Sequence, residues 1–475
     1  MSATFFMLLV DFSIVSIALP TIETELHMRA AQGQWIVSTY AIFLAGFLML
    51  TGRCADLFGR FWFFIAGLAL FTAGSLLGGI AHDGTFLIAM RAVQGLGAAM
   101  VNPAALAIVL SMFPAGPGRS RAIALWGTIG STGIAAGMLF GGILVQYLGW
   151  RSVFFVNVPF ALAIFALLPS FVPRDTPHRD KPQLDVAGAT TLTAALLTFV
   201  YTIEAIPERG VISIPTAIGV FATIVLLAML VTIERRAAEP ILPRKLFRYP
   251  DLLSGAAVVL LQPMSYAGVL VFASMYAQRV AGYSALDAGL AFLPSSLVVS
   301  FVAAPLTMPI VRRIGVRTMG FVMGALMVAG EVVLLFVHPT TPYWFGLFPA
   351  TMIGGFGGML TYQAGMIAGL GHIDEVDEGS ASAALSFALQ LGIGFGVALG
   401  ASAQELRAQA LLHAGASPAQ ALAGGLQAAF WVCVAIGVAN VISVAWIRHA
   451  ATAELPLRAH LPFGKLHHRA AAHAP

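Results

Sequence analysis

The sequence predicts an all-α integral membrane protein, and two observations carry that prediction. Its 475 residues are 59% hydrophobic and only 10% charged, and the mean hydropathy is +0.88, whereas soluble domains carry about 25% charged residues. The apolar runs are about 18–25 residues long, which suits helices that cross the hydrocarbon core, while strands of a membrane barrel need only about 10. We therefore expect a bundle of membrane-spanning helices.

Fourteen segments of this kind follow one another along the chain. They lie at residues 3–20, 34–51, 62–81, 85–112, 122–147, 152–172, 186–205, 213–233, 251–276, 288–310, 318–337, 344–369, 381–402 and 426–447. Two Pro-rich, charged stretches, at 173–185 and 233–251, set the seventh and eighth spans apart. The expected organisation is a six-helix bundle over 1–172, a linker with two extra helices over 173–250, a second six-helix bundle over 251–448 and a disordered cytoplasmic tail over 449–475.

The distribution of basic residues predicts the orientation of the spans. With the N-terminus inside, nineteen of the 25 Lys and Arg residues fall in inner loops or the tail and five in outer loops. The prediction is thus a multi-pass protein of the inner or plasma membrane with both termini cytoplasmic. The net charge of +4 reflects these loops rather than a basic stripe with aromatics, so no nucleic-acid partner is expected. Cys54 and Cys433 fit no metal or disulfide framework, and no metal or cofactor is predicted.

The segment GRCADLFGR at residues 52–60 is expected to form a short charged loop between the second and third spans. Gly52, Asp56, Gly59 and Arg60 give the pattern G-x-x-x-D-x-x-G-R. Asp56 can accept from backbone N–H groups at a helix end, and Arg60 can pair across the inner face. An ordinary connecting turn is the alternative. The segment VRRIGVR at 311–317, where Gly315 aligns with Gly59, indicates two similar halves.

Further motifs lie along the chain beside the 52–60 segment. They are LVDFSIVSIALP at 9–20, QWIVSTYAI at 34–42, MRAVQGLGAA at 90–99, WRSVFFVNVP at 150–159, ERRAAEPILP at 234–243 and DEGSASAALSFALQLGIGFG at 377–396. Together these motifs resemble the fourteen-helix drug:proton antiporters of the major facilitator superfamily. The resemblance implies the major facilitator fold, with two six-helix bundles plus two inserted linker helices. It also implies proton-driven export of lipophilic or cationic drugs by alternating access, with the 52–60 segment as a gate between the halves.

The sequence departs from the pattern of this family at three places. The antiporter motif of the fifth helix keeps its glycines, Gly133, Gly137, Gly141 and Gly142, but Met138 stands in place of a proline. Glycines at this spacing still allow close helix packing. Ser16 replaces an Asn of the first helix and Leu389 an Arg of the thirteenth. These changes put the substrate and the mode of coupling in question.

The candidate proton-coupling residues are acids and a cation inside spans. A carboxylate at the depth of Asp11 costs about 2.5–3.5 kcal/mol, so it should face a cavity or a partner. Asp11 is therefore interpreted as a proton acceptor or coupling residue. The resemblance implies that Arg91, next to Gln94, takes part in the coupling by polarising Asp11 or a bound water, and Arg91 itself stays charged. The alternatives are a structural acid and an interhelical strut with Gln94. Glu331, an acid that no family motif explains, is interpreted as snorkelling, paired with a polar neighbour, or a second proton site.

The resemblance further implies that the first, fourth, ninth and twelfth spans line a substrate cavity. Candidate contacts are Tyr40, Gln262, Met264, Tyr266, Tyr362, Gln363 and Met366, since Met and aromatic side chains make adaptable apolar surfaces. Plain helix packing is the alternative for each. The expected partners are a small lipophilic substrate, protons, the lipid bilayer and, in a host with two membranes, a periplasmic adaptor.

Two rival functions remain open at this level. One is a specific metabolite exporter or a proton symporter with the same fold, which Met138 favours. The other is a membrane receptor or scaffold without transport. The chain contains neither a P-loop lysine motif nor H-E-x-x-H, so an enzyme or an ATP-driven pump is not predicted.

Overall fold

The computed structural model describes residues 1–112, 117–172, 185–210, 213–237, 240, 244–371, 373 and 378–448, and the regular structure of that part is helical. The helices are α1 (Ser2–Glu25), α2 (Ala30–Phe58), α3 (Arg60–Gly79), α4 (Gly84–Met112), α5 (Pro117–Leu148), α6 (Ser152–Phe155), α7 (Asn157–Phe171), α8 (Val186–Arg209), α9 (Ile214–Arg236), α10 (Pro250–Arg279), α11 (Ala285–Val298), α12 (Ala304–Ile314), α13 (Val316–Leu334), α14 (Leu347–Leu370), α15 (Glu378–His413) and α16 (Pro418–Val444). The predicted tail over 449–475 and the loop over 173–184 lie outside the described residues.

Each of the fourteen predicted spans corresponds to helix in the described part. Ten of the helices there are long and apolar enough to cross a bilayer. The sixth span is divided into α6 and α7 at Val156, and the tenth consists of α11 and α12 joined by a π-helical turn over Val299–Ala303. Here α1–α7 are called the N-terminal half and α10–α16 the C-terminal half, with α8 and α9 between them along the chain.

The expectation of a loop over residues 52–60 is wrong. Helix α2 continues to Phe58, and Gly59 alone, with φ of 91°, separates it from α3. Charged residues do not break a helix, because only Gly and Pro carry a large helix penalty. The helix therefore ends where glycine permits a φ that other residues rarely adopt. Gly52 lies inside α2, and the side chain of Asp56 is outside the described residues.

Gly315 repeats this junction in the C-terminal half. It has φ of 78° and is the single residue between α12 and α13. The two glycines that align in sequence thus make the same one-residue turn between consecutive helices. The internal repeat inferred from VRRIGVR is visible in the backbone.

The glycine motif of α5 brings helices into backbone contact. A Cβ at Gly133 would lie 2.8 Å from Phe6 O and one at Gly137 would lie 2.7 Å from Val10 O, both on α1. A Cβ at Gly142 would lie 2.8 Å from Ala285 O on α11. The motif, which also includes Gly141 against Ile14, therefore packs α5 against its own half and against the other half, which confirms the expected close packing.

The two linker helices differ in their packing. Helix α8 packs through Leu192, Leu196 and Val200 against Ile42 of α2 and Ala398 of α15. The same contact includes a hydrogen bond from Ser402 Oγ to Ile203 O of 2.8 Å. Helix α9, by contrast, exposes most of its apolar side chains, as expected for a helix surrounded by lipid.

Candidate functional site

A buried ion pair joins the first and fourth spans. Arg91 Nη1 on α4 lies 2.7 Å from Asp11 Oδ2 on α1, and both side chains are 0% exposed. Because an unpaired charge at this depth is costly, each group stabilises the charged form of the other. The structure therefore brings together two of the residues that the sequence analysis predicted for proton coupling.

Arg91 is also tied to α2. Its Nε donates to Ile36 O at 2.8 Å, and its guanidinium carbon lies 4.2 Å from the centre of the Tyr40 ring. Nη1 additionally donates to Gln94 Oε1 at 2.9 Å, so the alternative of a strut with Gln94 is present alongside the ion pair. Nη2 is buried without a hydrogen-bond partner among the described residues. One guanidinium thus links α1, α2 and α4.

The second oxygen of Asp11 is held by amides. Asn157 Nδ2, at the start of α7, donates to Asp11 Oδ1 at 2.7 Å, and Gln94 Nε2 approaches it at 3.4 Å. Ser75 Oγ on α3 accepts from Gln94 at 2.6 Å and from Asn157 at 3.3 Å. The carboxylate is therefore surrounded by donors on two sides, from α4 and from α7.

The sequence analysis missed Asn157 and Ser75. Asn157 lies within the motif WRSVFFVNVP, but its side chain was given no role. The available signal was its position: an amide inside an apolar span must find a partner, and an acid in another span is the strongest acceptor.

A small apolar crevice lies between α1, α5 and α7 next to this network. Among the described residues of its lining Asn157 is the polar one, and the others are Phe6, Met7, Val10, Ile14, Phe140, Val156 and Phe160. Phe140 and Phe160 are partly exposed on the surface of the bundle. Asn157 therefore stands between Asp11 and the side of the bundle that faces lipid.

The two halves are joined by polar contacts at one end of the bundle, which we call the Glu23 end. Arg279 Nη2 on α10 lies 2.5 Å from Glu23 Oε2 on α1 and donates to Pro20 O at 3.2 Å. The carboxylate of Glu23 fits directly over Gly33 of α2, where a Cβ would overlap it. Gln34 Nε2 on α2 contacts Met275 Sδ on α10 at 3.3 Å.

Pro20 creates one acceptor for this closure. A proline has no N–H, so Ser16 O loses its intrahelical donor four residues ahead. Ser274 Oγ of α10 donates to Ser16 O at 3.2 Å, and Gln278 Nε2 donates to the neighbouring Ile17 O at 3.1 Å. The proline of the SIALP motif thus frees the Ser16 carbonyl of α1, which a side chain of the opposite half occupies.

Glu331 lies apart from this network, in the C-terminal half. Its side chain on α13 is 1% exposed, and its Oε1 lies 2.5 Å from Ser265 Oγ of α10. Of the interpretations made from sequence, pairing with a polar neighbour is the one that the structure shows. Its part in proton coupling stays a prediction.

The predicted cavity residues of the C-terminal half pack in two places. Gln262 contacts Met327 of α13, and Tyr266 lies against Gly354 and Gly355 of α14. Tyr362 and Met366 pack around a cluster that includes Val259 and Leu385. Met264 and Gln363 are half-buried. Tyr40 stacks on Arg91 in the other half. Their role in binding a substrate stays a prediction.

Ten helices in the described part that are long and apolar enough to cross a bilayer, with a charged pair buried in the N-terminal half, are typical of a multi-pass membrane transporter. Residues 1–397 match the model of the Major Facilitator Superfamily, and the chain belongs to that family.

Known proteins similar to this chain include antibiotic export and resistance proteins. The chain is 34% identical over 404 residues to the cephamycin export protein CmcT of Amycolatopsis lactamdurans, covering 83% of this chain and 82% of that protein. It is 31% identical over 449 residues to the puromycin resistance protein pur8 of Streptomyces alboniger, covering 93% and 88%. The crystal structure of the POT family transporter PepTSo superposes with a TM-score of 0.65 at 14% identity, covering 94% and 98%, and shows the shared fold. The resemblance inferred from the motifs and the predicted fold class are confirmed.

Proposed function

We propose that this protein exports lipophilic or singly cationic toxic compounds in exchange for protons, by alternating access. The observation that carries the proposal is the buried Asp11–Arg91 pair, 2.7 Å apart and tied to a third helix through Ile36 O. An ionisable residue within a span marks an ion or proton pathway more often than a structural contact. The relatives support the export of antibiotics, and the Asp11 network supports the coupling of that export to protons.

Protonation of Asp11 would act on the conformation through Arg91. A neutral carboxyl group attracts the guanidinium much less than a carboxylate does, and it accepts fewer hydrogen bonds. Arg91 would then be free to reorient, with Nη2 already unpartnered in this conformation. Because Arg91 binds α2 at Ile36, its movement would reach Gln34, two residues away, which contacts α10 of the other half.

The closure at the Glu23 end gives alternating access a structural basis. With the N-terminus in the cytoplasm, as the basic loops predict, the Glu23 end is extracellular and this conformation is closed to the outside. Opening there would break the Glu23–Arg279 pair, release the substrate to the outside and let an external proton reach Asp11. Closure of that end and opening of the inner end would then release the proton to the inside and admit the next substrate molecule.

The substrate class follows from the relatives and from the charge of the N-terminal half. The relatives are named for cephamycin and puromycin. The one acid that the structure places in the Asp11 network is matched by one arginine, so a monocation or a neutral lipophilic compound fits better than a strong dication.

The test is substrate-triggered proton movement in proteoliposomes that contain an internal pH dye. Puromycin, a cephamycin and the dication methyl viologen would each be tested on three proteins: wild type, Asp11→Asn and a control. The control is Asp287→Asn, which neutralises an exposed acid at the start of α11. We expect proton flux opposite to puromycin in wild type and in the control, and none in Asp11→Asn.

Three results would redirect the proposal. Proton flux parallel to the substrate would establish a symporter. Flux that is unchanged in Asp11→Asn would place the coupling elsewhere. Absence of flux with every compound would favour a narrow metabolite transporter or a protein without transport.

A further inference from the structure

Glu331 is a buried acid whose surroundings differ from those of Asp11. Its Oε1 lies 2.5 Å from Ser265 Oγ, and its Oε2 has no hydrogen-bond partner among the described residues. Gly437 of α16 makes room for this carboxyl group, since a Cβ there would come within 2.5 Å of Oε2. The group is therefore enclosed between α10, α13 and α16 within the C-terminal half.

Counting hydrogens shows the protonation state that fits this geometry. Ser265 Oγ lies 2.5 Å from Glu331 Oε1 and 2.8 Å from Cys433 O. A serine hydroxyl has one hydrogen to donate, whereas a carbonyl and a carboxylate only accept. Both contacts are hydrogen bonds if Glu331 is protonated and donates to Ser265, which in turn donates to Cys433 O. If Glu331 were charged, the single hydrogen of Ser265 could serve only one of these two contacts.

The charges around Glu331 agree with a neutral acid. The titratable groups that face it are Tyr266 of α10 and Cys433 of α16, which are neutral in their ordinary forms. Among the described residues, no Lys, Arg or His forms a recorded ion pair with it, whereas Asp11 has Arg91 at 2.7 Å. Burial of an acid without a cation costs less free energy when the acid is protonated than when it is charged.

We propose that Glu331, Ser265 and the carbonyl of Cys433 form a second proton-binding site, loaded in this conformation and unloaded once in each transport cycle. Its role in the cycle rests on the proposed exchange of protons for substrate. One half then holds an ionised acid against an arginine while the other half holds a protonated acid against a serine. The complete cycle exchanges two protons for one substrate molecule.

This stoichiometry has an electrical consequence. Exchange of one proton for one monocation moves no net charge, whereas exchange of two protons moves one. A membrane potential of about 100 mV is worth about 2.3 kcal/mol per charge, so it multiplies the attainable gradient of a monocation about 50-fold. Exchange of a monocation through a single proton site would be independent of the membrane potential.

The proton itself is tested without any substrate. Infrared difference spectra between acidic and alkaline pH would be recorded on the purified full-length protein in lipid, for wild type, Glu331→Gln, Ser265→Ala and the control Glu405→Gln, which removes another glutamate of the C-terminal half. We expect a protonated carboxyl band in wild type and in the control that disappears in Glu331→Gln and shifts in Ser265→Ala. Absence of any band assignable to Glu331 would overturn the proposal.

The role in transport is tested with puromycin at mildly acidic pH, where its amino group is charged. Proteoliposomes would be energised either by a potassium diffusion potential at equal pH or by a pH gradient without potential. We expect both to drive puromycin in wild type and in Glu405→Gln, and only the pH gradient to drive it in Glu331→Gln.

The outcomes separate this inference from the function on which it rests. Wild-type transport that ignores the potential would overturn the second site while leaving proton exchange intact. A puromycin flux that is absent under both gradients would count against the proposed function, and the infrared band would still decide whether Glu331 carries a proton. If Glu331→Gln fails to fold, the band shift in Ser265→Ala supplies that decision.

Discussion

Arg91 Nη1 lies 2.7 Å from Asp11 Oδ2 in an ion pair whose two side chains are completely buried. Neither side chain is exposed to bulk solvent, so each depends on the other and on the neutral donors and acceptors nearby. An intact buried ion pair adds little stability compared with an apolar pair of the same size. Removal of one partner, however, leaves an uncompensated buried charge. This mutual dependence makes the pair suitable for sensing a proton. It also means that removal of either side chain alone should lower the stability of the protein.

Removing one partner of the pair should therefore cost more than removing both. We expect Arg91→Met to lower the free energy of unfolding by about 3–5 kcal/mol, because Asp11 loses its cation. In Asp11→Asn/Arg91→Met no charge remains, and we expect at least half of that loss to be recovered. The measurement is thermal unfolding of the purified variants under one set of conditions.

The control for this comparison is Arg317→Met, which removes an exposed arginine at the start of α13. A surface substitution of this kind should stay within about 0.5 kcal/mol of wild type. A double variant that is less stable than Arg91→Met would show that the two side chains act independently.

Asn157 should hold the Asp11 carboxylate in place for the exchange. Asn157→Ala removes a donor that lies 2.7 Å from Asp11 Oδ1. A hydrogen bond to a charged group is worth about 1.5–3 kcal/mol, so the rate of substrate-driven proton exchange should fall by about 10- to 100-fold. The measurement is the initial rate of that exchange in proteoliposomes.

Thr51→Val is the matched control, since Thr51 is a buried polar residue that joins α2 to Ala99 O of α4 away from Asp11. Its exchange rate should stay close to that of wild type. An equal loss of rate in Thr51→Val and Asn157→Ala would mean that Asn157 only supports the fold.

Much of the fold and part of the site follow from sequence because their signals are local. Length and hydropathy identify the spans, and an arginine inside a span identifies Arg91. The prediction of a loop at 52–60 is wrong because charged residues mark the end of the hydrocarbon layer and not the end of a helix. Helix α2 continues past them and ends at Gly59. Asn157 and Ser75 meet Asp11 through the packing of α3, α7 and α1, which no spacing along the chain encodes.

The crossing of α5 and α11 should tolerate no side chain at Gly289. A Cβ there would lie 2.5 Å from Met138 O, a backbone atom that cannot turn aside. We expect Gly289→Ala to destabilise the protein by about 1–3 kcal/mol, since overpacking forces helices apart. Gly394→Ala, whose Cβ would keep 3.4 Å from Ile42 of α2, is the matched control and should remain close to wild type in thermal unfolding. Equal melting temperatures for the two variants would contradict a tight crossing.

The Glu23–Arg279 pair should hold the two halves together at the Glu23 end. Glu23 is 1% exposed and Arg279 23%, so the pair is better shielded from water than a surface salt bridge. In Glu23→Gln the charge is lost, while Arg279 keeps its bond to Pro20 O. Each loss of about 1.4 kcal/mol from the closed state raises the open fraction tenfold.

Opening of the Glu23 end can be measured as the labelling rate of a cysteine that is buried in the closed state. Ser274→Cys, in a background with Cys54→Ser and Cys433→Ser, places a thiol at a position that is 0% exposed between α10 and α1. We expect a water-soluble maleimide to label it about tenfold faster with Glu23→Gln than without it. The charge exchange Glu23→Arg/Arg279→Glu should restore slow labelling, because it recreates the pair with the opposite polarity. Rapid labelling in the exchanged protein would show that the geometry of Arg279 toward Pro20 O, and not the ion pair, keeps this end closed.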